Sequence, residues 1–398
     1  MRILFSAFGS GGDVFPLIRV GHAAQSSGHE VLLATPRSIG LYVRVAGLRT
    51  FALGDAGELS VRRDPKTFST RFDGWSSQRR VLNHYVAPTL AADVERIAHL
   101  ITSWRPDVVV TSTYAAAARV AAAAAGINHV GCTIYPHYFD VAQRAGRSFA
   151  RSYLAAVQEV VPKGLSAESW ADVAWCAGRD TIVCHDPMLL PPHRLPVDSR
   201  VVGYPYWDDL PDRDGQLDRA LNWLHDGMGQ PAIGVTLGSF VGLAGDSISE
   251  QVVAFGRERG YRTLIVNGSR PQGVSPGGDV FAVGYVPLSR LLPSLIGLVH
   301  HGGIGTTFAA LAAGRPSVIV PHAFDQSRNG NLIESAGCGA SASSETLSRR
   351  LDLLSDPMIN RTVASAGGRL IPSAEAASQA VGAIELAGLA PRRHGGEP

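Results

Sequence analysis

The sequence predicts an α/β protein with two domains, each built on a parallel sheet. Its 398 residues are enough for two domains of ordinary size. Short β-prone runs alternate with helical patterns from the start of the chain, and this alternation restarts after a polar interval. Such alternation is typical of parallel sheets. We predict a first domain at 1–205, a linker at 206–230, a second domain at 231–372, and a final helix with a tail at 373–398.

The composition excludes several classes of protein. Hydrophobic residues make up 45% of the chain and charged residues 18%, which is typical of a folded globular protein. The formal net charge of +2 argues against a dedicated nucleic-acid binder. No apolar run approaches the ~18 residues of a membrane-spanning helix, and the N-terminal apolar run is too short for a signal peptide. With four cysteines and no C-x-x-C spacing, we expect a reduced, cytoplasmic protein without stable membrane insertion.

The N-terminal residues predict a strand, a glycine-rich turn and a helix. The run 2–8 is β-prone, and 30–35 is predicted as the second strand. The dinucleotide-binding fingerprint G-x-G-x-x-G is incomplete in the turn, because Val14 stands where the third glycine belongs. The second strand also ends in Thr35-Pro36-Arg37 instead of an acidic residue. The turn therefore disfavours a nicotinamide cofactor.

Both domains continue this alternation. Further strands are predicted at 106–111, 127–132, 180–184, 200–203, 231–237, 262–266, 279–283 and 315–321. Further helices are predicted at 76–103 with an interruption at Pro88, and at 115–125, 217–224, 248–256, 288–292, 345–354 and 374–386. The segment 50–80 is irregular, as binding loops and mobile covers often are.

The most informative stretch is 298–314. It begins as a buried strand end, turns through His301, Gly303 and Gly305, and then becomes rich in Ala and Leu, which favours helix. The first N–H groups of a helix have no partner inside the helix, and the aligned peptide dipoles place partial positive charge there. With glycines that admit an anion, the His301 donor and the Thr306 hydroxyl, the stretch predicts a diphosphate site. A tight turn without a ligand is the alternative.

A second polar pair, Asp325 and Gln326, follows the next predicted strand. Ligands of open α/β sheets bind at the carboxyl ends of the strands, so we expect the pair beside the diphosphate site. A carboxylate next to an amide can accept from and donate to vicinal hydroxyl groups, which suits a sugar.

Together these residues resemble a known donor signature. His301-x-Gly303-x-Gly305-Thr306, Gly314-x-Pro316 and Pro321-x-x-x-Asp325-Gln326-x-x-Asn329 are similar to the signature of nucleotide-sugar-dependent glycosyltransferases with the GT-B fold. The bacterial natural-product branch, with the vancomycin-type glycopeptide and macrolide glycosyltransferases, looks closest. Rhamnolipid-type rhamnosyltransferases and sterol glucosyltransferases look similar in this stretch. The resemblance implies two Rossmann-like domains facing across a cleft, with a C-terminal helix that crosses back to the N-terminal domain.

The resemblance also implies a catalytic base. In the glycopeptide and sterol branches an Asp in the first turn deprotonates the acceptor, and Asp13 matches that position. The alternative for Asp13 is to satisfy N–H groups at the start of the following helix. The aromatic cluster that follows the strand at 127–132 could line an apolar acceptor pocket or close an edge of the core. It consists of Tyr135, His137, Tyr138 and Phe139, and its His137 is the alternative base.

Further donor contacts follow from the same resemblance. In relatives the nucleobase bonds to backbone near the position of Val286, and a Ser or Thr at the position of Ser239 contacts a phosphate. Ser10 and Gly11 are additional candidates for the phosphates. UDP-sugar relatives often carry a Glu that binds both ribose hydroxyls where this chain has Ala309, which favours a dTDP-sugar over a UDP-sugar.

The sequence thus predicts an inverting glycosyltransferase that moves a sugar from a nucleotide diphosphate sugar to a hydroxyl of a small, largely apolar acceptor. We expect neither a metal nor another cofactor, and a monomer or weak dimer. Three alternatives stay open. They are a sugar-nucleotide epimerase, a glycolipid-building rhamnosyl- or glucosyltransferase at the membrane surface, and a non-catalytic nucleotide-binding homologue.

Overall fold

The computed structural model describes residues 1–9, 11–54, 86–134, 181–190, 195, 199–226, 229–238, 245–266, 273–275, 277–322 and 325–391. Their contacts divide the chain into two compact units. The first unit ends at Trp207 and resumes at Ile371, and the second contains Asp208–Leu370. The chain therefore returns to the first unit at its C-terminal end.

The first unit is built on a seven-stranded sheet. Its strands are β1 (Arg2–Ser6), β2 (Glu30–Pro36), β3 (Arg49–Leu53), β4 (Val108–Ser112), β5 (Asn128–Thr133), β6 (Thr181–Val183) and β7 (Ser199–Val201). They pair in parallel in the order β3-β2-β1-β4-β5-β6-β7. Among the described residues before the linker, the helices are α1 (Gly11–Ser26), α2 (Gly40–Val45), α3 (Ala87–Trp104) and α4 (Ala116–Ala124). Phe5 in β1 pairs with Leu33 and Val110, all fully buried, as expected for a parallel sheet covered on both faces.

The second unit repeats the arrangement. Its strands are β8 (Ala232–Thr236), β9 (Arg262–Val266), β10 (Gly273–Val274), β11 (Val280–Val283), β12 (Gly297–His300), β13 (Ser317–Ile319) and β14 (Gly339–Ser341). Their order is β10-β11-β9-β8-β12-β13-β14, and among the described pairs β10–β11 alone is antiparallel. Its helices are α5 (Gln216–His225), α6 (Gly245–Arg259), α7 (Leu288–Leu291), α8 (Ile304–Ala312), α9 (Gln326–Ser335) and α10 (Pro357–Gly367).

The last helix, α11 (Ser373–Leu389), belongs to the first unit, where it packs against α1, β4 and β5. The Asn128 side chain donates to the carbonyls of Ala387 and Ala390 at 2.9 and 2.8 Å, and so ties the C-terminal end of α11 to β5. The Ser373 hydroxyl donates to the Tyr206 carbonyl at 2.8 Å near the point where the chain returns. The predicted α/β fold with two parallel sheets, and the return of the final helix, are confirmed.

Two predicted helices differ in detail. Of the predicted helix 76–103, the residues 76–85 lie outside the described residues. The described part is α3, which begins at Ala87, so Pro88 lies in its first turn, where the missing N–H costs no intrahelical hydrogen bond. The segment 345–354 forms two 3-10 turns, Leu347–Arg349 and Leu351–Ser355, instead of an α-helix. These short turns bury Leu347, Leu351 and Leu354 in the core of the second unit.

Candidate functional site

The C-terminal ends of β12 and β13 are neighbours in the second sheet, and both lead into polar segments. β12 is followed by a short turn and α8, and β13 is followed by a short loop and α9. Segments that follow adjacent parallel strands lie at the same edge of a sheet. The structure therefore brings most of the predicted donor residues together in one unit. They are His301, Gly303, Gly305, Thr306, Asp325 and Gln326.

The turn before α8 requires glycine. Gly302 has a φ of 90°, and a Cβ on it would lie 2.6 Å from Ile319 Cγ2 and 3.0 Å from the Gln326 carbonyl oxygen. Gly303 is the N-cap residue of α8 and provides no side-chain cap. The N–H groups of the first turn, which contains Gly305 and Thr306, thus have no partner from the N-cap side chain. This arrangement leaves the positive end of the helix dipole for an anion.

The two adjacent histidines have different environments. His300 is fully buried, and its Nδ1 accepts a hydrogen bond from the Gly302 N–H at 3.1 Å. Burial holds the pKa of His300 well below its usual value, and the neighbouring His301 adds to the shift. His300 is therefore a neutral side chain of the core that holds the turn, a role that the sequence does not distinguish from that of its neighbour.

The ring of His301 occupies the space that two glycines leave. A Cβ on Gly303 would lie 2.4 Å from His301 Nε2, and a Cβ on Gly238 would lie 2.8 Å from His301 Cε1. Burial lowers the pKa of His301 to about 4, and His322 adds to the shift, whereas the Thr236 backbone opposes it. His301 is therefore neutral at neutral pH, so one of its ring nitrogens donates a hydrogen bond and the other accepts one.

The carboxylate of Asp325 is buried at the start of α9. Asp325 is the N-cap residue, but its carboxylate accepts no capping hydrogen bond from the first N–H groups of α9. Burial raises its pKa to about 6, although the hydrogen bond from Asn329 Nδ2 to Oδ2, at 2.7 Å, lowers it. Gln326 is also buried, and its Oε1 accepts from the His322 N–H at 2.7 Å. A carboxylate and an amide thus stand at fixed positions beside the α8 turn.

Val286 lies in the turn between β11 and α7, and its side chain is buried. Two side chains from the predicted linker hold this turn. Gln216 Oε1 accepts from the Gly284 N–H at 2.8 Å, and the Asp208 carboxylate accepts from the Ser289 N–H and hydroxyl at 2.9 and 2.8 Å. The sequence does not reveal either role, because its only signal there is the polar composition of the segment.

Asp13 and Gly11 lie in the first unit, in the first turn of α1. Asp13 is only 7% exposed. Its carboxylate lies directly against Gly9, which has a φ of 132°. A Cβ on Gly9 would lie 2.1 Å from Asp13 Oδ2. The absence of a side chain at Gly9 therefore allows the carboxylate to approach the main chain, a relation that the glycine-rich turn alone did not predict.

Several predicted residues lie outside the described residues: Ser10, Ser239, Tyr135, His137, Tyr138 and Phe139.

In the part of the chain that the structure describes, no helix combines the length and apolar character needed to cross a membrane. In the same ranges no three His, Cys, Asp or Glu side chains form a group that could hold a metal ion.

Two family models match the chain. Residues 22–182 match the N-terminal domain, and residues 263–370 the C-terminal domain, of the family described as Erythromycin biosynthesis protein CIII-like. The two matches together span more than half of the chain.

Individual relatives agree with these matches. The chain is 27% identical over 361 residues to the L-demethylnoviosyl transferase of Streptomyces niveus. The matched region covers 87% of this chain and 86% of the relative. It is also 27% identical to the tylactone mycaminosyltransferase of Streptomyces fradiae, with 87% and 82% covered. Among solved structures, the Streptomyces sp. SF2575 glycosyltransferase SsfS6 complexed with thymidine diphosphate superposes with a TM-score of 0.70 at 22% identity, covering 95% and 99% of the two chains.

Proposed function

The chain belongs to the GT-B glycosyltransferases of bacterial natural-product biosynthesis, and from this membership we propose that it transfers a sugar from a nucleotide diphosphate sugar to a hydroxyl of a small, largely apolar acceptor. The observation that carries the proposal is the position of Asp325 and Gln326 beside the start of α8. One part of this surface suits a diphosphate, and the other suits the hydroxyl groups of the attached sugar.

The diphosphate is bound by the start of α8 in this proposal. The N–H groups of Gly305 and Thr306 and the Thr306 hydroxyl donate to its oxygens, and His301 donates through a neutral imidazole. Negative charge grows on the diphosphate as the bond to the sugar breaks. Donors fixed in advance by Gly302 and Gly303 stabilise that charge without having to reorganise, so the reaction needs no metal ion.

Asp325 and Gln326 hold the sugar. A buried carboxylate that accepts from sugar hydroxyls fixes the orientation of the anomeric carbon, and this positioning lowers the entropic cost of the reaction. Because the pKa of Asp325 is raised to about 6, the carboxylate is largely ionised at pH 7.5 and binds hydroxyl groups in that form.

Asp13 is the base. Its carboxylate accepts the proton of the acceptor hydroxyl as that oxygen bonds to the anomeric carbon. The bond between the anomeric carbon and the diphosphate breaks, and the diphosphate leaves with the electron pair. Attack from the side opposite the leaving group inverts the configuration at the anomeric carbon.

We propose dTDP as the nucleotide of the donor. Ala309 lies buried in α8 where UDP-sugar relatives often have a ribose-binding Glu, so a 2′-hydroxyl has no carboxylate partner at this position. Thymidine diphosphate in complex with SsfS6 supports the same choice. The nucleobase packs at the turn of Val286, where the neighbouring Tyr285 is 53% exposed and offers an aromatic face.

The first test is thermal stabilisation of the purified protein by dTDP, UDP and NAD at equal concentration. A ligand present at a hundred times its dissociation constant adds about 2.7 kcal/mol to the free energy of unfolding. We expect the largest shift in Tm with dTDP, a smaller one with UDP and none with NAD. No shift with either pyrimidine nucleotide would contradict a donor site at α8.

The second test is sugar transfer from dTDP-sugars to a panel of aglycones and sterols, with the anomeric configuration of the product read by NMR. An inverted product, formed in the presence of a metal chelator, is expected. Release of free sugar or an epimer without any acceptor would favour the epimerase alternative. Nucleotide binding without any turnover would favour the non-catalytic homologue.

A further inference from the structure

One amide side chain connects the two parts of the donor surface, which are the start of α8 at 301–306 and the pair Asp325 and Gln326. Asn329 lies in the first turns of α9 and is 2% exposed. Its Nδ2 donates to the Gly302 carbonyl at 2.8 Å and to Asp325 Oδ2 at 2.7 Å. Gly302 belongs to the turn that starts α8, and Asp325 is the carboxylate assigned to the sugar. Each hydrogen of the amide group thus binds a different part of the surface.

The chemistry of these contacts requires an amide. Both partners are acceptors only, a carbonyl oxygen and a carboxylate oxygen, so the side-chain nitrogen must face them. Gly302 is held from its other side as well, because its N–H donates to His300. Asn329 and His300 together fix the peptide units that set the direction of the first N–H groups of α8.

We propose that Asn329 is a positioning residue that locks the sugar-binding carboxylate to the phosphate-binding turn. This inference rests on the proposed function and adds to it a residue that touches neither substrate. Asn329 donates a hydrogen bond to Oδ2 of Asp325, and we assign Oδ1 as the acceptor for the sugar hydroxyl. Without Asn329 the carboxylate loses its fixed orientation, and the turn loses one of the two hydrogen bonds that hold Gly302.

The hydrogen bond from Asn329 also affects the ionisation of Asp325. Burial raises the pKa of this carboxyl group, and the Asn329 hydrogen bond favours the ionised form and opposes that shift. The other titratable groups on the neighbouring segments are His300, His301, His322 and Arg328. Burial holds the pKa of His300 well below its usual value and lowers the pKa of His301 to about 4, so both stay neutral near pH 6. Burial also lowers the pKa of His322. A change of sugar binding near pH 6 that disappears in Asp325→Ala reports on Asp325.

The experiment measures the affinities of dTDP and dTDP-glucose by calorimetry at pH 7.5, without any acceptor. The contribution of the sugar is the dissociation constant of dTDP divided by that of dTDP-glucose, a ratio that is larger when the sugar adds affinity. We expect Asn329→Ala to lower this ratio by about tenfold, the usual effect of a hydrogen bond to a charged group. Asp325→Ala should lower it at least as much. The double variant should lower it no further than Asp325→Ala alone, since Asn329 acts on the sugar through Asp325.

Asn331→Ala is the matched control, because Asn331 is an exposed residue of the same helix. It should leave both affinities unchanged. A second readout is the pH dependence of dTDP-glucose affinity, whose diphosphate does not itself titrate near pH 6. The affinity of the wild-type protein should fall as the pH falls through about 6, and Asn329→Ala should move the midpoint to higher pH.

An unchanged ratio together with an unchanged midpoint would overturn the positioning role, even if Asn329→Ala lowers Tm. Additive effects of Asn329→Ala and Asp325→Ala would also overturn it. If Asn329→Ala fails to fold, Asn329→Ser retains a polar side chain and is tested in the same way. A wild-type protein that binds neither dTDP nor UDP would overturn the proposed function, and this inference with it.

Discussion

Gly9→Ala changes the position of the Asp13 carboxylate without changing its identity. A Cβ on residue 9 would lie 2.1 Å from Asp13 Oδ2, whereas about 3.5 Å is an ordinary separation of non-bonded atoms. The carboxylate therefore has to move by about 1 Å or more, and it can do so by rotation because Oδ2 is at the end of the side chain. A displacement of about 1 Å at a reacting group costs roughly a hundredfold in rate. We expect kcat/KM for sugar transfer to fall by about that factor.

The assay compares initial transfer rates, dTDP affinity and Tm. Gly9 has a φ of 132°, so Ala also strains the backbone, at a cost of about 1–3 kcal/mol. Gly28→Ala is the matched control, since Gly28 has a φ of 83° and open space where a Cβ would lie. It should lower Tm but keep the wild-type rate, and dTDP affinity should be unchanged in both variants. A wild-type rate in Gly9→Ala, or an equal loss of rate in Gly28→Ala, would refute the reasoning.

Three further predictions concern the proposed base and the donor surface. Asp13→Asn should lower turnover by about a hundred- to ten-thousandfold with unchanged dTDP affinity, and retained turnover would remove Asp13 from the role of base. His301→Ala should weaken dTDP binding by about tenfold, through loss of a hydrogen bond to a charged phosphate, and an unchanged dissociation constant would contradict that contact. Asp325→Asn should raise Tm at pH 7.5 while it weakens binding of the sugar donor. The pKa of Asp325 is raised from 3.8 to about 6, so its ionisation destabilises the fold progressively as the pH rises from about 4 to 6. The difference in Tm between variant and wild type should therefore vanish near pH 4, and a difference independent of pH would contradict this account.

The architecture and the location of the donor motif could be predicted because both depend on neighbours in sequence. Apolar runs such as β1 and β12, separated by helical patterns, are sufficient to indicate parallel strands. The start of α8 is visible in the same way, since a glycine-rich turn and the Ala-rich stretch after it act on the local backbone. The structure places His301, Gly303, Asp325 and Gln326 at one edge of one sheet, while their roles stay predictions.

The remaining features of the site depend on residues that are distant in sequence. His300 and His301 are adjacent and chemically identical, yet the sheet buries one in the core and sets the other between two glycines. Asn329 reaches Gly302, and Asp208 reaches Ser289, only because separate segments pack against each other. Burial and hydrogen-bond partners at such positions are properties of the packed elements. A local pattern records which residues can form a turn or a helix, but not which distant groups will meet there.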